Sequence, residues 1–221
     1  MMEFHLSLVF IHVLLFVFWL GTDIGVFLAA KISERIDLGV ETRATVMQLG
    51  MVLDRLPRSC LTLIVPTGLQ LAVNTGQLSV PGFILPLVWV TCLAWLFILW
   101  LGFLRPKSTT EKRATQFNFT MHVIMAILLL SSGIYLLANA AAPQWLSIKI
   151  LLVGLIMVTG VALDSMFKPA VTAFVTIISQ GATIERDSVY SKAIRPVYKA
   201  VLAIYLFVII AAYLGVTKPY F

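Results

Sequence analysis

The fold turns on residues 4–30, FHLSLVFIHVLLFVFWLGTDIGVFLAA, an apolar run whose one formal charge is Asp23 and which carries His5 and His12. As a helix rising 1.5 Å per residue, a run of this length reaches about 40 Å, more than the ~30 Å hydrocarbon layer of a bilayer. No soluble core asks for so long a stretch with so little charge. The Met-Met-Glu-Phe-His start lacks the positive region of a signal peptide, so the run is read as a retained helix.

Five further runs follow at residues 59–74, 83–104, 117–138, 146–167 and 197–216. The second is short and is expected to begin earlier, near Leu53, with Pro57 in its first turn and Pro66 mid-span. The composition agrees: 60% of the 221 residues are hydrophobic and only 12% are charged, where a soluble domain is nearer half and a quarter. The expected fold is therefore all-α, a polytopic membrane bundle of six transmembrane helices forming one domain.

The formal charge of +6 is not a nucleic-acid signal, because the basic residues fall in particular loops. Lys31, Arg35, Arg43, Arg55 and Arg58 follow the first span. Arg105, Lys107, Lys112 and Arg113 follow the third, and Lys168, Arg186, Lys192, Arg195 and Lys199 surround the loop after the fifth. The short loops 75–82 and 139–145 carry no charge. The positive-inside rule then puts the three longer loops in the cytoplasm and both termini outside. Within those loops, residues 32–56 place apolar side chains near helical spacing and predict an amphipathic helix; residues 168–193 do so more weakly. Cys60 and Cys92 lie in apolar runs and form neither a CxxC pair nor a disulfide framework.

Residues 16–21 (FVFWLG) resemble residues 97–102 (FILWLG), and the ends of the second and fourth spans pair Gly68 with Gly133 and Asn74 with Asn139. Hairpin 4–74 is thus a candidate duplicate of 83–139, with the two glycines at matching close helix contacts. The histidines are not repeated.

Polar groups at membrane depth are costly and are functional candidates. Counting along each span, His12 lies roughly 12 Å below the outer edge, Lys149 roughly 5 Å below it, and His122 roughly 8 Å above the inner edge. His5 sits at the outer edge on nearly the same helix face as His12. Neutral imidazole in a helical bundle is a common ligand of haem iron. The ~10 Å height difference between His12 and His122 on a 30 Å core does not favour one iron between them. His12 is read either as a metal or haem ligand or as a histidine hydrogen-bonded between helices. Lys149 either snorkels past Trp145 or turns inward to an anionic group. Asp23, near the inner end of its span, is read either as capped by a neighbouring Lys or Arg, the favoured reading, or as part of a proton relay. Met121, His122 and Met125 form a helical stripe that suits packing better than copper.

Four pieces resemble the HemJ-type membrane protoporphyrinogen oxidases and the related CopD-like membrane proteins. They are Ile11-His12-Val13 leading to Trp19-Leu20-Gly21, Arg55 and Arg58 before Pro66 and Gly68, Trp145-Leu146-Ser147-Ile148-Lys149, and Arg195 with the ending Val216-Thr217-Lys218-Pro219-Tyr220-Phe221. The resemblance implies a haem b protein of the bacterial inner membrane, with His12 as axial ligand and Lys149 as a required residue. His122 and His5 are further candidate ligands by their position in or at the edge of the membrane, and Arg58 and Arg195, expected as solvated positive-inside residues, complete the candidate cofactor-binding set. Those oxidases have four helices, so the third and fourth spans are extra, and Ser147 stands where the family carries histidine. The functional expectation is a haem-dependent oxidoreductase or electron-transfer protein in the lipid bilayer, with a quinone or a redox protein as partner and oligomers allowed. The alternatives are a transporter or copper-handling permease, and a membrane subunit without chemistry.

Overall fold

A computed structural model describes residues 2–106 and 108–219, the side chain of Met2 excepted. Lys107 of the basic loop and Tyr220 and Phe221 of the terminal motif lie outside the described residues. The chain forms α1 (Met2–Ser33), α2 (Val40–Leu53), α3 (Arg55–Asn74), α4 (Ile84–Leu104), α5 (Thr109–Ala138), α6 (Gln144–Gln180) and α7 (Ile184–Thr217). Six stretches are long and apolar enough to cross a membrane, α2 and α3 counting together as Val40–Asn74. The protein is an all-α, multi-pass membrane protein. In lipid every backbone group must be bonded within the chain, which leaves helices as the solution for such apolar runs.

The spanning helices pack in the order α1, α3, α4, α5, α6, α7, and α7 returns to α1 to close a ring. Among the described residues, no two spanning helices facing each other across the ring bring Cα atoms within 8 Å. Side chains fill the axis instead, with Trp19, Leu61, Trp95, Met121, Ile156 and Met157 in one cluster. Water exclusion does not drive helix association inside a bilayer, so close backbone approach matters more. A Cβ at Gly102 would meet Ala114 at 2.7 Å, and one at Gly133 would meet Leu151 at 2.6 Å. Gly68 and Gly133 are both close contacts, as the proposed duplication expects, but against different neighbours. Gly68 faces α1, whereas Gly133 faces α6 and not α4.

The basic loops gather at one end of the ring and are more ordered than their charge suggests. At 37 residues α6 is roughly 55 Å long, so it and α7 run well past a 30 Å core. Residues 168–193 therefore continue these two helices rather than forming a separate surface segment. The charges mark where the chain leaves hydrocarbon, not where the helix stops. The turn between them uses Gly181 at φ +84°, and Arg186 Nη1 donates to the carbonyls of Gln180 and Gly181 at 2.8 and 3.0 Å. Those are terminal acceptors that α6 itself cannot satisfy.

The predicted amphipathic segment 32–56 contains α2, which docks through Arg43, Met47 and Gly50 and leaves Leu49 and Met51 outside. Arg43 is 1% exposed, donating Nε to Ser33 O at 2.8 Å and Nη2 to Asp187 at 2.8 Å. Ser33 in turn bonds Tyr190 at 2.6 Å. The ends of α1, α2 and α7 are thereby tied together.

Candidate functional site

The polar groups facing the ring axis fall into two tiers. Their spacing shows why they align: His12, Trp19 and Asp23 follow one face of α1, as Lys149, Ile156, Gly160 and Asp164 follow one face of α6. Steps of seven and four residues return a helix to the same side.

The first tier lies toward the termini. His12 Nδ1 is 2.8 Å from Thr67 Oγ1. That hydroxyl already donates to Leu63 O at 2.8 Å, so it accepts here and the imidazole carries its proton on Nδ1. Nε2 is left with a lone pair and no hydrogen-bond partner among the described residues. The ring lies against α3 because residue 68 is glycine; a Cβ there would stand 3.1 Å from His12 Cε1. Across the axis, Lys149 is near enough for its charge to act on His12. The Lys149 chain crosses α7 at Gly215, where a Cβ would sit 2.5 Å from Nζ. Among the described residues Lys149 has no carboxylate within ion-pair distance.

The second tier lies further toward the basic end: Trp19 is one heptad and Asp23 eleven residues beyond His12, roughly 10 and 16 Å along the axis. It surrounds a cavity of about 70 Å³ lined by Trp19, Asp23, Asp54, Arg58, His122 and Asp164, among others. Arg58 donates to Asp54 at 2.6 Å and to Asp164 at 3.0 Å. These three side chains are 26%, 32% and 24% exposed, so the ion-paired ladder forms the mouth of the cavity. Asp23, expected to pair with a basic residue, makes no ion pair among the described residues; both acids of the ladder already hold Arg58. Tyr205 sets its hydroxyl beside the Asp23 carboxylate. That oxygen is buried without a partner of hydrogen-bonding geometry. His122 is 5% exposed, packs edge-on against Trp95, and donates Nδ1 to Asn118 O at 2.9 Å. Its Nε2 is likewise unpartnered.

The structure thus brings His12 and Lys149 together, places His122 and Arg58 in the other tier, and scatters the rest. His5 sits at the far end of α1. Arg195 is 71% exposed on the basic surface, 3.5 Å from Glu34. Met121 and Met125 are buried in the packed core at 7% exposure each. Among the described residues no three His, Cys, Asp or Glu side chains are grouped to hold a metal ion. Thr67, Gly215, Asp54 and Tyr205 were not singled out by sequence. Helix-face alignment with His12, Lys149 and Asp23 would have pointed to them once the neighbouring helices were known. Compared with known protein families, curated proteins and solved structures, the chain has no match.

Proposed function

We propose that this protein is a haem b-binding redox protein of the bacterial cytoplasmic membrane, with its termini outside and its haem on the ring axis held by His12. The observation that carries the reading is the His12–Thr67 hydrogen bond. It puts the imidazole in the tautomer that offers Nε2 to iron, with Nδ1 anchored by an outer partner. The donor chemistry fits haem: one neutral imidazole, and in Lys149 a cation with no carboxylate partner among the described residues, suited to a propionate. The volume does not fit as it stands: the cavity of about 70 Å³ belongs to the second tier, does not include His12 in its lining, and is below the ~300 Å³ lower bound of ordinary ligand pockets. A larger groove of about 340 Å³ lined by Arg113 and Phe117 has no histidine. Binding therefore requires the side chains along the axis to part.

Bound haem supplies one-electron chemistry whose potential follows ligand, charge and dielectric. The chain's own residues set those terms. Thr67 orients the ligand, Lys149 neutralises a carboxylate, and the apolar side chains around Trp19 keep water away. His122 lines the cavity of the second tier and is given no part in holding this haem. The electron partner is a quinone in the bilayer or a redox protein.

A visible spectrum of the detergent-purified protein tests the reading. A Soret band and a reduced α-band that disappear in His12→Ala are expected. Protein that shows no such band even after incubation with hemin overturns it. The polar axis of a closed helical ring favours one other reading, a permease for a small cation, which a haem-free protein conducting ions in vesicles would select.

A further inference from the structure

The second tier has no part in holding a cofactor at His12, yet it is built. Three acids, Asp23, Asp54 and Asp164, share the cavity with one guanidinium. Arg58 is used by the two ladder acids, so a fully ionised site would carry an uncompensated negative charge inside the bundle. Such a charge is neutralised by a proton or a cation, since burying it bare costs several kcal/mol.

Two further groups, from two other helices, point to the same ligand. Tyr205 Oη from α7 is buried beside the Asp23 carboxylate, close enough to interact with it but short of good hydrogen-bond geometry, and lies just outside the cavity wall. His122 from α5, 5% exposed, presents an unpartnered Nε2 in the cavity wall. Buried polar atoms are nearly always bonded, to water if not to protein. A cavity of about 70 Å³ has room for a few waters, each needing on the order of 10–15 Å³ of such space. The quarter-exposed ladder connects these waters to the basic end.

We propose that Asp23 is a proton-binding site, fed from the basic end through water in the cavity that Asp23 and His122 both line, with Tyr205 Oη beside its carboxylate. The charged and titratable groups facing Asp23 are Asp54, Arg58, His122, Asp164 and Tyr205. Arg58 stays with Asp54 and Asp164, so the exchangeable proton belongs to the acid without a cation. The transfer is a plain proton exchange: water delivers H⁺ to a carboxylate oxygen of Asp23 and takes it back on release. This inference is independent of the haem reading.

Infrared spectroscopy of the full-length protein reconstituted in lipid, with or without cofactor, tests it. In mildly acidic buffer a carbonyl stretch from one protonated carboxylic acid is expected, shifting on exchange into heavy water and titrating away as the pH is raised. Asp23→Asn removes the band, and Asp164→Asn keeps it. Tyr205→Phe, which leaves the packing intact, keeps the band but moves its frequency and its titration midpoint, so the proposal stays testable if Asp23→Asn does not fold. No such band in the wild-type protein, or the same band in Asp23→Asn, overturns the proposal. So does a band that vanishes when sodium is added at constant pH, which would make the ligand a metal ion.

Discussion

Thr67 and His12 are joined across α1 and α3 by a 2.8 Å hydrogen bond in which the hydroxyl is the acceptor, its own proton being committed to Leu63 O. The bond decides which imidazole nitrogen is free. Thr67→Val keeps the shape and removes the acceptor, so the fold should persist while the ligand loses its anchor. Loss of an outer-shell partner typically weakens a metal site by about 10–100-fold. Hemin titration followed at the Soret band should show a drop of that order; unchanged affinity would separate Thr67 from cofactor binding.

Gly215 and Gly133 should respond differently to a methyl group. At Gly215 the added Cβ meets only the tip of Lys149, which is flexible, whereas at Gly133 it meets Leu151 Cγ at 2.6 Å and the Leu151 backbone nitrogen at 3.1 Å. Overpacking of a fixed contact costs about 1–3 kcal/mol. Gly133→Ala should therefore lower the thermal midpoint measurably. Gly215→Ala should leave it nearly unchanged while shifting the haem spectrum through the displaced ammonium.

Arg43→Met should be among the more damaging single changes at the basic end. It fills the space but leaves Ser33 O and Asp187 without their donor. Removing one partner of a buried pair costs about 3–5 kcal/mol, and Asp187, at 12% exposed, should place the loss toward the lower part of that range. Urea unfolding followed by tryptophan fluorescence would measure it, and Arg43→Met with Asp187→Leu should recover part of the loss.

Acid should loosen the same end through Glu34. Burial pushes its carboxyl up, but hydrogen bonds from Ser191 and Tyr198, with Arg195 and Lys31 nearby, outweigh that and hold it below its usual 4.5. A carboxyl depressed in the folded state contributes stability above its unfolded value and loses it as pH falls through the folded one. The contribution should be full at neutral pH and decline below about 4.5. Glu34→Gln should flatten that part of the stability–pH curve, and an identical curve would remove Glu34 as its origin.

The charge asymmetry of the loops predicts orientation. A reporter active only outside the cytoplasm should be active when fused after Pro219, and inactive when inserted at Gly181. The reverse pattern would invert the membrane topology without altering the ring.

Much of the architecture was legible in the chain itself, because lipid imposes a rule that sequence obeys openly. A span must be apolar and about 20 residues long, and its flanking cations tell the two sides apart. The six spans and a docked helix within residues 32–56 follow from that rule and from helical spacing, although of its apolar residues Met47 is buried while Leu49 and Met51 lie outside. The ends of α6 and α7 did not follow, because the charged stretch 168–193 read as a loop with only weak amphipathic spacing. Tertiary packing and the Arg186 cap let the helices continue into it.

What the sequence alone could not settle was which residues meet. His12 and Lys149 are 137 positions apart, and Asp23 is 182 from Tyr205. Their adjacency depends on α7 closing the ring against α1, a choice made by packing of small residues and core side chains that hydropathy does not encode. Periodicity places a polar group on a helix face. Only the order of the helices around the axis determines what that face looks upon, and hence that Arg58, already paired with Asp54 four residues away, also reached Asp164 while Asp23 was left beside Tyr205.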